Sequence, residues 1–226
     1  MNASGFNTTV GAGTTDAITG AYTAHTTQSS YAIWTNRRAG AHAVFERIFD
    51  KGAMATSIFF NDNTAGLYWF RRVWSGDDGQ WSITFPAINT WVHYVITYDE
   101  GATTNDPLFY VNGFPVTATQ SGGDPTLSPA TNTLGITVGN SSAGTAGWDG
   151  LLREFAHWDR ILTPHEAAML GANRWSPAWF PVGLKTYLRG AMNADLYGAA
   201  PTMTGTRPSS APSIYYPPWL VEAEAA

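Results

Sequence analysis

Apolar and polar residues alternate along this chain in short runs, and Gly, Asn, Asp and Ser break the runs at roughly ten-residue intervals. Residues 66–73 (GLYWFRRV) set Tyr68 and Phe70 on one side of an extended chain and Trp69 and Arg71 on the other. Residues 43–50 (AVFERIFD) oppose Val44, Glu46, Ile48 and Asp50 to Phe45, Arg47 and Phe49. Residues 91–98 (WVHYVITY) divide Val92, Tyr94 and Ile96 from Trp91, His93, Val95 and Thr97. The same reading predicts strands at 29–35, 56–61, 80–85, 107–111, 114–119, 134–139 and 149–158. Turns are predicted at Lys51-Gly52, at Asp62-Asn63, over 76–79 and at Asn112-Gly113. The last pair is the strongest hairpin signal, because both residues accept positive φ. Many short strands joined this way predict an all-β antiparallel sandwich or jelly roll.

One helix interrupts the pattern. Thr163-Pro164-His165-Glu166 offers an N-cap, a proline where its missing N–H costs nothing, and a Glu placed to complete a capping box. The helix is predicted over 164–170, with Gly171 positioned to end it. Beyond it the text becomes rich in Pro, Ala and aromatic residues. Proline cannot donate to a strand ladder, so an irregular C-terminal arm is expected, with 183–188 able to pair as one edge strand. Trp179, Phe180, Tyr215, Tyr216 and Trp219 are too apolar for a free linker and read as assembly contacts. The expected division is a domain over 1–173 and a Pro/aromatic-rich extension over 174–226, packing on the domain or on a neighbour.

Composition narrows the function. The chain has 226 residues, 12 Lys+Arg against 17 Asp+Glu, and a net charge of −5, which gives no positive field for nucleic acid. Charged residues make up only 13%, while Phe, Trp and Tyr make up 14%, enough apolar area to offset chain entropy. The absence of cysteine removes disulfides, zinc-thiolate sites and Cys nucleophiles. No run is long and apolar enough to cross a bilayer as a helix. The N-terminal residues lack a basic segment followed by an apolar one, so no signal peptide is expected. Export by lysis or carriage on a particle is expected instead.

Two longer segments carry a family resemblance: 94–113 (YVITYDEGATTNDPLFYVNG) and 136–170 (ITVGNSSAGTAGWDGLLREFAHWDRILTPHEAAML). Trp91, His93, Thr97, Tyr98 and Asp99 lead to Tyr110, Asn112 and Gly113. Gly139, Asn140, Asp149, Gly150, Glu154, Trp158, Arg160, Leu162, Thr163 and Glu166 follow in order. This pattern resembles the concanavalin A-like, laminin-G-like jelly-roll domains, over about residues 10–171. RIFDKG at 47–52 is similar to an early strand of that family. The extension is similar to those of tailed-phage structural proteins. The resemblance implies a concanavalin A-like antiparallel β-sandwich with one short helix, whose signature residues are mostly scaffold.

Candidate chemistry follows. The same jelly roll hosts glucanases, which need two carboxylates facing one cleft. No E-x-D-x-x-E strand motif occurs, and Glu46 and Asp50 sit ~13 Å apart along a strand. They are expected as exposed carboxylates beside Arg47, and no catalytic residue is assigned. The resemblance raises a Ca²⁺ site, for which Asp16, Asp62, Asn63, Asp99, Asn140 and Asp149 are candidates, with Asp16 and Asp149 foremost. Turn formation accounts for all six without a metal. The five histidines show no metal-binding spacing; His93 and His157 are expected in hydrogen-bonded or core roles. Trp69, Trp74, Trp81 and Arg71 are the candidate glycan-binding or docking residues, because sugars stack on aromatic rings; the alternative is that these rings fill the core.

The expected function is a non-enzymatic virion structural protein: a capsid decoration or tail component on a lectin-like jelly roll, possessing an outward face suited to host or environmental glycans. The alternative is a free carbohydrate-binding lectin module, and a glycoside hydrolase ranks below both. Expected partners are other virion proteins, further copies of the chain, and polysaccharide, with neither nucleic acid nor membrane insertion. The expected location is the particle surface, otherwise extracellular.

Overall fold

The computed structural model describes residues 4–6, 17–19, 26–37, 45–52, 58–63, 66–85, 88–131, 135–188 and 202–204. Among them the strands run in the order β1 (Ser4–Phe6), β2 (Ala17–Thr19), β3 (Gln28–Arg37), β4 (Arg47–Lys51), β5 (Ile58–Asn63), β6 (Leu67–Arg72), β7 (Gly79–Thr84), β8 (Trp91–Asp99), β9 (Leu108–Val111), β10 (Phe114–Val116), β11 (Thr119–Gln120), β12 (Ile136–Val138), β13 (Gly150–Trp158), β14 (Leu184–Leu188) and β15 (Thr202–Thr204). They form two antiparallel sheets. One has the order β1-β13-β3-β8-β9-β10, with β14 also paired to β13; the other runs β11-β7-β6-β5-β4-β12-β2-β15.

Alternation builds the core between the sheets. In β6 the side chains alternate half-buried and buried, so Tyr68, Phe70 and Arg72 point inward while Trp69 and Arg71 point out. Phe60, Phe70 and Trp81 align across β5, β6 and β7. Rings meet edge-on: Tyr68 lies 5.3 Å from Tyr94 at 71°, and Phe70 lies 6.2 Å from Phe109 at 83°. Such geometry adds to the hydrophobic term of each ring.

A third layer covers the outer side of the seven-stranded sheet. The helix α1 (Pro164–Gly171) and a 3-10 turn (Pro177–Trp179) bury Ala32, Val95, Ala156 and Trp158 with Leu162, Ala167, Leu170 and Tyr187. Hence β8 is buried on both faces from Val92 to Tyr98. The predicted capping box is present: Thr163 Oγ1 accepts from the Glu166 N–H, and the Glu166 carboxylate accepts from the Thr163 N–H. Arg160 donates to Glu166 at 2.9 and 2.5 Å and to the Val182 carbonyl at 2.7 Å, which joins the helix start to the following segment. That segment re-enters the fold as β14 beside β13. There the Tyr187 hydroxyl donates to the Glu154 carboxylate and contacts Ser176 Oγ at 2.8 Å, all buried.

Four local expectations need correction. Asp62 and Asn63 are strand residues opposite Tyr68 and Leu67, so the chain reverses beyond them and enters β6 through Gly66 at φ 78°. Gly171 is the last helical residue and Ala172 is the C-cap, so Gly171 is not a cap beyond the helix but the point where the helix touches the Asn112-Gly113 turn. A Cβ there would lie 2.2 Å from the Gly113 nitrogen. The alternation in β4 breaks at a register shift between Arg47 and Phe49, which brings both Ile48 and Phe49 into the core. Finally, Glu46 and Asp50 are buried rather than exposed. Glu46 accepts from the Asp149 N–H at 3.2 Å, and Asp50 accepts from the Ser142 N–H at 3.2 Å.

A buried charge group lies within the sandwich. Arg72 donates to both oxygens of Glu100, at 2.7 and 3.0 Å. Lys51 is buried near them; burial first, and the Arg72 charge second, bring its amine down to about 8 against the opposing pull of Glu100.

Candidate functional site

The outer face of the eight-stranded sheet gathers what the alternation excluded from the core. Cross-strand register places Arg47 opposite Asn61, Asn61 opposite Trp69, and Trp69 opposite Ser82. One residue pair along, Phe59 faces Arg71, and Arg71 faces Gln80. These side chains and Phe45 line a groove of about 260 Å³. Phe45 stands at its rim, 50% exposed and held at φ 67°.

Two guanidinium groups converge on one ring. Arg47 Cζ lies 3.7 Å from the Phe59 ring centre, and Arg71 Cζ lies 5.6 Å from the same centre. Cations favour an aromatic face because the ring quadrupole is negative there. Arg71 is fixed from the far side by Asp78, with Nε 3.0 Å from Oδ2 and Nη2 on the same oxygen. Arg47 donates through Nη1 to the Phe45 carbonyl at 3.1 Å. Its Nε–H and the Trp69 indole N–H are buried and find no hydrogen-bond acceptor among the described residues. Burial lowers the pKa of Arg47; the Asp50 carboxylate opposes this and the Arg71 charge adds to it. Burial also raises the Asp50 carboxyl to about 6, despite the Ser142 N–H and Arg47.

The sequence candidates separate. Trp69 and Arg71 fall together in the groove. Trp74 and Trp81 do not belong to it. They are 4% and 1% exposed and pack in the core, so neither ring can stack on a sugar. Trp81 instead donates its indole N–H to Asp106 at 2.7 Å, at the wall of a second cleft of about 480 Å³ beside the β9–β10 hairpin. Arg47, Phe59, Phe45 and Gln80 were not singled out as site residues. The face shared by Phe45 and Arg47 in the alternation was the available signal for two of them.

No three His, Asp or Glu side chains converge as a metal site among the described residues. Asp99 accepts from the Gly101 N–H and Gln28, and Asn140 accepts from the Ser141 and Ala146 N–H groups, which is turn chemistry. Asp149 is buried beside Glu46, and Asp16 lies outside the described residues. Asp99 and Asp149 thus join no such cluster among the described residues.

On the opposite flank, Trp175 stacks near Trp179 and Phe180, with ring centres 5.1 and 6.4 Å apart. Trp179 is 39% exposed and Val182 is 73% exposed. Tyr215, Tyr216 and Trp219 lie outside the described residues.

Residues 11–168 match the family described as the concanavalin A-like lectin/glucanases superfamily, and the chain belongs to it. The fold is similar to that of a candidate carbohydrate binding protein from Bacteroides ovatus, with a TM-score of 0.61 and 17% identity over 88% of this chain and 61% of that one. It is similar to a heptameric SAP-like pentraxin from Limulus polyphemus, with a TM-score of 0.56 and 13% identity over 88% of this chain and 94% of that one. The binding domain of botulinum neurotoxin serotype D gives a TM-score of 0.55 and 13% identity over 74% of this chain and 41% of that one. At these identities the likeness concerns fold alone. This chain thus spans under two thirds of the Bacteroides protein and of the toxin chain. No curated protein matches it.

Proposed function

We propose that this protein is a lectin-like module that binds saccharide without turnover, in the groove on the outer face of the eight-stranded sheet. The observation that carries the reading is Trp69. Its ring lines a groove that Arg47 and Arg71 also line, and its buried indole N–H has no acceptor among the described residues. Sugars offer an apolar face for the ring and oxygens for the donors. The burial of Glu46 and Asp50 supports binding over hydrolysis, because neither carboxylate lines the groove. The description of the Bacteroides protein agrees with this reading. The test is a glycan array followed by titration calorimetry. Trp69→Ala should weaken binding about tenfold, roughly 1.4 kcal/mol, while Trp74→Phe leaves it unchanged. An array without binders would refute the proposal.

The exposed Trp179 and Val182, beside the half-buried Trp175 and Phe180, favour a second, compatible role as a docking surface. In this reading it joins the C-terminal arm in seating the module on a capsid or tail subunit, or on another copy, at a virion surface. Trp179→Ser with Val182→Asp should abolish co-sedimentation with particles. A chain ended at Leu188 keeps β14 but removes the arm together with the edge strand β15, so its fold is checked by circular dichroism before sedimentation. Unchanged co-sedimentation in both variants would remove the docking role.

A further inference from the structure

Resting on the saccharide reading, we infer that the groove selects sugars bearing a carboxylate, uronic or sialic acids, and that Arg47 and Arg71 are the residues that make the selection.

The donor inventory points to an anion. Arg47 Nε–H and Trp69 Nε1–H are buried donors without an acceptor among the described residues, and a guanidinium has no acceptor of its own. A buried donor left unmade costs about 1–3 kcal/mol, so a ligand oxygen that reaches either donor through a small side-chain shift recovers that cost. A neutral hydroxyl can supply one such oxygen. A carboxylate supplies two, with a charge, in the planar spacing that a guanidinium matches.

Charge arrangement points the same way. The two guanidinium groups share the Phe59 ring, so they also repel each other. Their acidic partners approach from outside the groove. Asp78 takes Nε and Nη2 of Arg71 and leaves Nη1 for a ligand. Asp50 follows on β4 and is held by Ser142. Neither carboxylate lines the groove, whose other walls are Phe45, Phe59, Asn61 and Gln80. An anion between the two arginines therefore meets no opposing carboxylate within it. This happens on a chain whose net charge is −5, so the local sign is opposite to the global one.

The test uses the full-length chain and titration calorimetry at low ionic strength. The probes are trigalacturonic acid and 3′-sialyllactose, each beside its methyl ester, and a sulfated disaccharide. The expected result is at least tenfold tighter binding of one acid than of its ester. Arg71→Gln should then collapse the acid-to-ester affinity ratio, measured on the variant itself, to about threefold or less. Rising salt should weaken the acid and spare the ester. Equal affinity for acid and ester, or a preference for the sulfated probe, would overturn the inference and leave the saccharide reading intact. Binding of none of the probes, with neutral glycans still bound on the array, would overturn it as well. An empty array would instead sink the saccharide reading beneath it. The acid–ester comparison on the unaltered chain needs no variant, so it stands even if Arg71→Gln unfolds.

Discussion

Replacing Gly171 by alanine sets two rules against each other. Helix propensity alone favours alanine by up to about 1 kcal/mol, less at a terminal position. The structure opposes it. The new Cβ would lie 2.2 Å from the Gly113 nitrogen, 2.6 Å from the Asn112 carbonyl carbon and 2.8 Å from the Gly113 Cα. All three are backbone atoms of a tight turn with Asn112 at φ 51° and Gly113 at φ 87°, so no side chain can rotate away. Normal carbon contacts are near 3.5 Å, so the helix must retreat by roughly 1 Å. That loosens Ala167 and Leu170 against the sheet. Overpacking of this kind costs about 1–3 kcal/mol. Net of propensity, a loss of about 1–2 kcal/mol is expected, or a fall in Tm of roughly 2–8 °C for a domain of this size. Guanidinium denaturation followed by tryptophan fluorescence measures it, and hydrogen exchange of the α1 amides localises it. A midpoint equal to or above that of the unaltered protein would falsify the claim that α1 docks through a glycine contact.

Three further outcomes follow from buried polar groups. Tyr187→Phe deletes the hydroxyl between Glu154 and Ser176 and should cost about 1–3 kcal/mol in urea denaturation, with unchanged m. The His93 imidazole is held neutral by burial, at about 3 against an ordinary value near 6.5. The unfolded chain takes up its proton first, so stability should fall as pH drops from 6.5 towards 3, by up to about 1.4 kcal/mol per pH unit; His93→Leu should flatten that slope. Asp50 has the opposite sign. Its folded carboxyl near 6 lies above the unfolded value near 4, so the folded state holds the proton longer, and its contribution declines as pH rises from 4 to 6. Asp50→Asn should remove that component from the pH dependence of the denaturation midpoint.

The strands and the helix were legible because each rests on local information. Alternation in β6 separated Trp69 from Tyr68 and Phe70, and Thr163 with Glu166 announced the capping box. Parity does not say which face is inner, however. In β7 Trp81 and Ile83 share a side against Gln80 and Ser82, which could have marked Trp81 as core. The register shift in β4 was invisible, since an inserted residue changes parity without changing composition. Arg72 on β6 pairs with Glu100, the residue that follows β8, a contact that no spacing rule encodes. The groove itself depends on four strands in register, which is why the sequence offered Trp69 and Arg71 but not Arg47 and Phe59 as partners.

The position of β13 has a consequence for how the chain is made. This strand binds β3 along one edge and both β1 and β14 along the other. A ribosome delivers β3 long before β13, and β14 later still. Until then β3 displays an open, apolar border that invites pairing with another nascent chain. Slow release, low temperature or a holding chaperone should therefore raise the soluble yield, and fragments stopping ahead of Leu184 should precipitate.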